Sequence, residues 1–421
     1  MLRDYINKIK NSEFAVNSLK LMSGTTIAQM ISFIMAPILY RIYEKEDYGV
    51  LGLFMAITGI IGVFSTFQYN QVIILVKTDE EASNAENLNR LINLFVSLTT
   101  IPLILTFGDG LADYFNSPNL KPWLFLLPVQ LFFAGQNEIF RVKANRLKRY
   151  SILSMNTILG ASITPIVSLI LGFLLNGPIG LFIGLISGQL ISTVYLQIKI
   201  GSVKAVKPTR KGFGGMRSLA RKHYKFPLYS LPSELMNRAG RQIPVFFIGF
   251  ISGEAAIGVY NLCVRMLSLP TALISGAVTE VFKKRAIDEY HRLGNCLSIY
   301  KKTGKVLFSI GIVPMIVLLL FGPDLFGFIF GEKWREAGVY AQIFAPMYFL
   351  QLLVSPLSYL YYIKEKLGED LILHIGYVSS LLVLFSFSSI YLSLLDTLIY
   401  FSVINIVLYI IYLFRSYQFS K

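Results

Sequence analysis

Apolar runs long enough to cross a lipid bilayer follow one another along almost the whole of this chain. A spanning helix needs about 20 mostly apolar residues. Such runs fall near 18–41, 49–76, 88–108, 123–144, 151–175, 177–199, 226–250, 256–282, 303–321, 337–362, 371–392 and 395–414. The fold class that follows is an all-α polytopic membrane protein with about 12 transmembrane helices, because helices satisfy their own backbone in lipid. Charge agrees: 15% of residues are charged, against roughly a quarter in soluble domains.

A net charge of +15 would point a soluble chain toward nucleic acid, so its placement decides its meaning. With both termini cytoplasmic, the chain ends and the loops on their side hold 31 of the 39 Lys and Arg. The opposite loops hold only Arg41, Lys45, Lys121, Lys333 and Arg335. This is the positive-inside pattern, and it leaves no excess for a nucleic-acid partner. The acidic stretch 77–86 is the weak spot on the cytoplasmic side. Arg3, Lys8 and Lys10 precede a first apolar run that lacks a small-residue cleavage site, which reads as a retained helix and not a signal peptide.

Several function classes drop out. The pattern G-x-x-x-x-G-K-[ST] is absent and every loop is short, which argues against ATP hydrolysis. Three histidines without HExxH or CxxC spacing argue against a metal site, and neither paired carboxylates nor a nucleophile motif suggests an enzyme. No cofactor is implied. Cys263 and Cys296 are too few for a disulfide framework and read as free thiols.

The longest basic loop, 201–225, divides the spans six and six. The expected organisation is an N-terminal six-helix lobe over 1–200, a basic cytoplasmic linker over 201–225 and a C-terminal six-helix lobe over 226–421. The halves echo each other. EDYGVLGL from Glu46 resembles EAAIGVYNL from Glu254, and FGDGL from Phe107 resembles FGPDL from Phe321. An even number of spans per half makes these parallel repeats, an arrangement that favours a route between two lobes.

Ionisable groups at membrane depth are costly and therefore informative. Span seven carries Glu234, Asn237, Arg238 and Arg241 after Ser230, all within a stripe about 100° wide. Pro227, Pro232 and Pro244 should bend that span. Span eight carries Asn261, Arg265, Ser268, Ser275 and Thr279 at helical spacing. Thr25, Gln29 and Ser32 on span one and Thr58, Ser65 and Tyr69 on span two would face them. Three arginines against one acid suggest an anionic ligand, since guanidinium forks match phosphate oxygens. The competing reading makes Glu234 and Arg238 an i,i+4 ion pair and lets Arg241 snorkel. Glu138, beside Arg141 on span four, is a second candidate for ion coupling. The segment 283–292 reads as an amphipathic stretch on anionic lipid.

Taken together, SGTTIAQMIS from Ser23 with Pro37, the Glu46 turn, Phe226-Pro-Leu and FGEKW from Phe330 resemble the bacterial polysaccharide flippases of the multidrug/oligosaccharidyl-lipid/polysaccharide exporter superfamily, the O-antigen and capsule repeat-unit kind. The resemblance implies two six-helix bundles around a central cavity, in the bacterial inner membrane. It also implies translocation of undecaprenyl-pyrophosphate-linked oligosaccharide from the cytoplasmic to the periplasmic leaflet by alternating access. The cationic lumen of that family maps onto Arg238, Arg241 and Arg265, with Arg41 as a fourth, and Asn237, Asn261, Gln29 and Tyr69 would meet glycan hydroxyls. Glu234 and Glu138 are the coupling candidates, anionic lipids the surrounding partners, and polysaccharide polymerase machinery a downstream partner. Two alternatives stay open: an ion-coupled multidrug exporter of the same superfamily, and a polytopic glycan polymerase or ligase.

Overall fold

In lipid a backbone amide finds no water to bond, so apolar runs of this length close their hydrogen bonds within helices. A computed structural model, which describes residues 13–201 and 212–421, contains helices and no strand among those residues. Arg3, Lys8, Lys10 and linker residues 202–211 lie outside them. In chain order the main helices are α1 (Glu13–Ile42), α2 (Lys45–Ile61), α3 (Asp79–Tyr114), α4 (Leu127–Arg146), α5 (Tyr150–Leu174), α6 (Ile179–Ile200), α7 (Gly212–Lys222), α8 (Leu231–Leu293), α9 (Leu297–Phe330), α10 (Arg335–Leu357), α11 (Leu367–Tyr391) and α12 (Leu394–Ser420).

Among the described residues, ten stretches are long and apolar enough to span a membrane. One of them, Phe226–Leu293, runs for 68 residues and leaves helical geometry at Gly253, so it accounts for the expected spans seven and eight. The expected fourth span is α4, which is too polar to meet the same criterion. Its polarity is internal: Gln130, Gln136, Asn137 and Lys143 are buried among neighbouring helices. Outward faces are apolar instead, with Leu105, Phe173 and Phe328 among the exposed side chains, as a lipid solvent requires.

The chain forms two compact units, Met1–Ile257 and Gly258–Lys421. The boundary falls after Ile257 and not at the linker, where the sequence places it, because the first arm of α8 is anchored inside the first unit. Glu254 is buried and accepts from Ser117 Oγ at 2.8 Å and Asn119 Nδ2 at 2.5 Å. Asn116 Nδ2 donates to the Phe250 carbonyl at 2.9 Å. Gly253 turns the chain with φ of 74°, a left-handed value that suits glycine. Against this turn lies Gly49 of α2, whose absent side chain is essential: a Cβ there would sit 1.7 Å from the Glu254 carbonyl oxygen. The two copies of the echoing motif therefore touch each other at Gly49 and Glu254.

At the linker end of the first unit, charges do structural work. The acidic stretch 77–86 is the start of α3, where the Thr78 hydroxyl accepts from the Glu81 amide at 3.2 Å and Asp79, Glu80 and Glu81 meet the positive end of the helix dipole. Arg146, closing α4, donates to the carbonyls of Ile73, Val76, Lys77 and Thr78 and so bridges the gap before α3. Lys143 Nζ lies 2.9 Å from Glu86 Oε2. The second half of the linker is itself a docked helix: α7 buries Met216 and Leu219, pairs Lys222 with Glu81 at 2.7 Å, and offers its Ala220 carbonyl to Tyr69.

In the second unit, Arg415 on α12 grips Glu369 on α11 with two guanidinium nitrogens, and Tyr412 donates to Asp370 at 2.6 Å. Beside them Phe282, Ala286, Cys296, Tyr300, Leu357 and Tyr361 form a buried cluster. The expected amphipathic segment 283–292 is the last part of α8: Ala286 is packed inside and Lys283 lies over the Tyr359 ring, which leaves Lys284, Arg285 and Arg292 exposed. Cys263 and Cys296 are both free and buried, and burial pushes the Cys296 thiol above its ordinary value.

Gly49→Ala should force α2 away from the Glu254 turn and destabilise the protein by about 1–3 kcal/mol. Thermal unfolding in detergent measures this, with Gly59→Ala, whose added carbon meets nothing closer than 3.6 Å, expected to match the parent.

Candidate substrate cavity

The second span is broken where the sequence predicts a continuous helix. After α2 the chain makes a 3-10 turn at Gly62–Ser65, passes through Phe67 and Gln68 with positive φ, makes another at Tyr69–Gln71, and regains α geometry only at Val72–Leu75. Phe67 and Gln68 hold φ of 47° and 63°, a region costly for side-chain-bearing residues. Irregular backbone at membrane depth persists where it is buried in protein or lines a cavity. Here it does the latter.

The cavity has a volume of about 450 Å³ and lies wholly within the first unit. The broken span contributes Gly62, Ser65, Thr66, Gln68, Asn70 and Gln71, α4 contributes Gln130 and Glu138, α6 contributes Gln189, and α8 contributes Glu234 and Arg238. Amide and hydroxyl groups therefore dominate its polar lining. Gln130 and Ser65 are only 3% and 4% exposed, and neither Gln130 Oε1 nor Ser65 Oγ has a hydrogen-bond partner. A buried acceptor left unpaired costs about 1–3 kcal/mol, and both of these belong to residues that line the cavity.

The fixed charges on this wall are largely matched. Arg238 Nε donates to Glu234 Oε1 at 2.6 Å within the same helix, and Glu138 lies 3.9 Å from Arg141. The ion-pair reading of Glu234 and Arg238 thus describes this structure, and the charge of Arg238 is balanced within its own helix. Among the described residues there is no group of three or more His, Cys, Asp or Glu placed to hold a metal ion.

Behind the cavity α4 is held by amides. Asn137 Nδ2 lies within 3.3–3.4 Å of Asn156 Oδ1, Ser192 Oγ and Thr193 Oγ1, which ties α4 to α5 and α6. Gln136 Nε2 donates to Asn93 Oδ1 at 2.9 Å, and Asn93 donates to the Leu131 carbonyl at 3.1 Å, which ties α4 to α3. In a bilayer such interhelical hydrogen bonds replace a hydrophobic driving force that lipid cannot supply.

Of the residues predicted from sequence, the structure brings Glu138, Glu234 and Arg238 together with Thr58 and Ser65 around this cavity. Asn237 and Arg241 are exposed on the same arm of α8 but do not line it, since only one edge of the predicted stripe faces the cavity. Tyr69 is buried and spends its hydroxyl on Ala220 at 3.2 Å, a structural contact in place of the expected glycan contact. Gln29 is half-buried on α1 with Oε1 unpartnered, away from the cavity lining, and Arg41 is exposed in the last turn of α1. In the second unit Asn261 is half-buried and Arg265 exposed. Sequence reasoning missed Gln68, Asn70, Gln71 and Gln189 as lining residues; the polar run from Thr66 to Gln71 inside an apolar span was the available signal.

A polysaccharide biosynthesis protein family matches residues 38–339. The chain is 30% identical over 138 residues to the teichuronic acid biosynthesis protein TuaB of Bacillus subtilis (strain 168), a match that covers 32% of this chain and only 28% of that protein. It is 21% identical over 361 residues to the lipopolysaccharide biosynthesis protein WzxC of Escherichia coli (strain K12), covering 82% of this chain and 68% of that one. Among solved structures, the lipid II flippase MurJ in an inward closed conformation superposes with a TM-score of 0.70 at 17% identity, over 94% of this chain and 87% of that chain. An inward-facing multidrug resistance MATE family transporter of the MOP superfamily gives 0.63 at 15% identity, over 93% and 94%. These structures share the fold of this chain.

Asn137→Leu should cut the ties among α4, α5 and α6 and leave Asn156 unpaired, lowering stability by about 1–3 kcal/mol. A fall in the thermal midpoint of the purified protein, larger than that of a lipid-facing control such as Leu105→Ala, is the expected reading.

Proposed function

We propose that this chain, which belongs to the polysaccharide biosynthesis protein family, is a flippase that moves undecaprenyl-pyrophosphate-linked oligosaccharide repeat units from the cytoplasmic to the periplasmic leaflet by alternating access. The observation that carries the reading is the polar, half-unwound cavity at membrane depth, a feature with no use in a purely structural bundle. Relatives named for lipopolysaccharide biosynthesis and for succinoglycan transport support a lipid-linked saccharide as cargo, and the shared fold with a lipid II flippase supports movement across the bilayer. The distribution of Lys and Arg supports cytoplasmic termini in an inner membrane.

Our candidates for the diphosphate are arginines that form no ion pair among the described residues: Arg241 in the first unit and, considered separately, Arg265 in the second. A guanidinium fork offsets the desolvation of phosphate oxygens with paired hydrogen bonds. Glu234 and Glu138 are candidates for proton or ion coupling, and removal of product by polysaccharide polymerase machinery is the other source of drive. This reading requires no catalytic group and no cofactor.

One observation favours a second reading, an exporter of organic cations: the cavity presents two carboxylates and one guanidinium. The discriminating measurement is lipid extraction with a sidedness probe in cells lacking this chain. Lipid-linked oligosaccharide should accumulate on the cytoplasmic face, be cleared by the parent gene, and persist at least about tenfold above the parent level with Arg241→Ala or Arg265→Ala at equal protein level. Unchanged lipid pools together with lost dye efflux would move the assignment to the exporter.

A further inference from the structure

We propose that the first-unit cavity is a saccharide subsite: it reads the sugar hydroxyls of the cargo and takes no part in holding its diphosphate. This rests on the flippase reading and deepens it. Three observations point the same way.

Charge is the first. The one guanidinium on the wall among the described residues, Arg238, is bonded to Glu234, and the second carboxylate, Glu138, has Arg141 nearby. A diphosphate entering here would meet two carboxylates against one guanidinium that is already paired, whereas a neutral sugar meets no charge opposition. Hydrogen-bonding capacity is the second. Gln68, Gln71 and Gln130 present side-chain amides without a hydrogen-bond partner among the described residues, and Asn70 and Gln189 keep part of their capacity after bonding Thr66 and the Phe133 carbonyl; an amide can donate and accept, as sugar hydroxyls also do. The third is the unpaired state of Gln130 Oε1 and Ser65 Oγ on this wall. Gln130 Oε1 can only accept, and Ser65 Oγ both accepts and donates, so a sugar hydroxyl, which does both, satisfies the pair more fully than a phosphate oxygen, which has no hydrogen to offer. The volume of about 450 Å³ falls within the roughly 300–1,000 Å³ of small-molecule sites.

A site built to bond hydroxyls discriminates strongly against ligands that lack them, because its own polar groups then stay unpaired. The saccharide subsite therefore sets which repeat units are carried, while the anion contacts are common to all of them.

The test uses the purified full chain in lipid nanodiscs and two probes: undecaprenyl diphosphate bearing the complete repeat unit, and undecaprenyl diphosphate bearing no sugar. Gln130→Met and Ser65→Ala are the variants. Each removes an atom that has no partner in the unliganded protein, so neither loses a native hydrogen bond, and either alone suffices if the other is poorly folded. The parent should bind the glycan-bearing lipid more tightly than the bare one. The variants should weaken binding of the glycan-bearing lipid about tenfold, near 1.4 kcal/mol, and that of the bare lipid less than about twofold. Equal affinity of the parent for both lipids, parent-like variants, or an equal loss for both lipids would each overturn the subsite and leave the flippase reading standing. Binding of neither lipid by the parent would remove the flippase reading itself, and the subsite with it.

Discussion

The structure depends on one constraint: inside a bilayer, every backbone amide and carbonyl must be satisfied by protein or by water that protein encloses. Most of the chain meets it by staying helical. The stretch Gly62–Gln71 does not, and the consequence spreads outward. A backbone freed from helical bonding there has to be surrounded, so α4 turns a polar face toward it, α6 supplies Gln189, and the first arm of α8 closes the wall with a neutralised Glu234–Arg238 pair. The low hydropathy of α4 has the same origin. Its amides are dictated by what lies beside it, and Asn93, Asn156, Ser192 and Thr193 hold them in place.

Much of the fold was legible in the sequence, for a physical reason. Transfer of apolar residues into lipid is a sum over about 20 positions, so local irregularity hardly disturbs it, and the span pattern and the Glu234/Arg238 edge of α8 emerge directly. The same averaging concealed the break in span two. Thr66, Gln68, Asn70 and Gln71 are flanked by Ile57, Val63 and the Val72–Leu75 turn, and the apolar flanks carry the window. Of the prolines of span seven, Pro227 does loosen the helix, sitting in a π-helical turn at Phe226–Ser230, whereas Pro232 and Pro244 are accommodated within α8, whose departure from helical geometry comes at Gly253.

The candidate site was legible in part. Spacing on a helix fixes which residues share a stripe but not which edge of the stripe meets a cavity, so Arg241 and Asn237 were grouped with Arg238 although they do not share its surroundings. Charge counting along the chain saw three arginines and one acid; Glu138, on another helix, enters the cavity's balance only in three dimensions. Glu254 illustrates the same limit. Its role comes from Ser117, Asn119 and Gly49, each distant in the chain, and the repeat pattern that drew attention to it said nothing of those contacts.

The helices α3 and α9 contain 36 and 34 residues, which at about 1.5 Å per residue makes each longer than 50 Å. The hydrocarbon layer is roughly 30 Å thick. Each helix therefore carries several turns beyond the apolar layer, and the charged segments near their starts, Asp79 to Glu81 in the first turn of α3 and Lys301 to Lys305 from the second turn of α9, belong to the headgroup region. Bilayer thickness thus becomes a mechanical variable for this protein. A thinner membrane is met by tilting these two rods or by drawing their charged turns outward, and each half of the chain owns one such rod through which lipid composition can act.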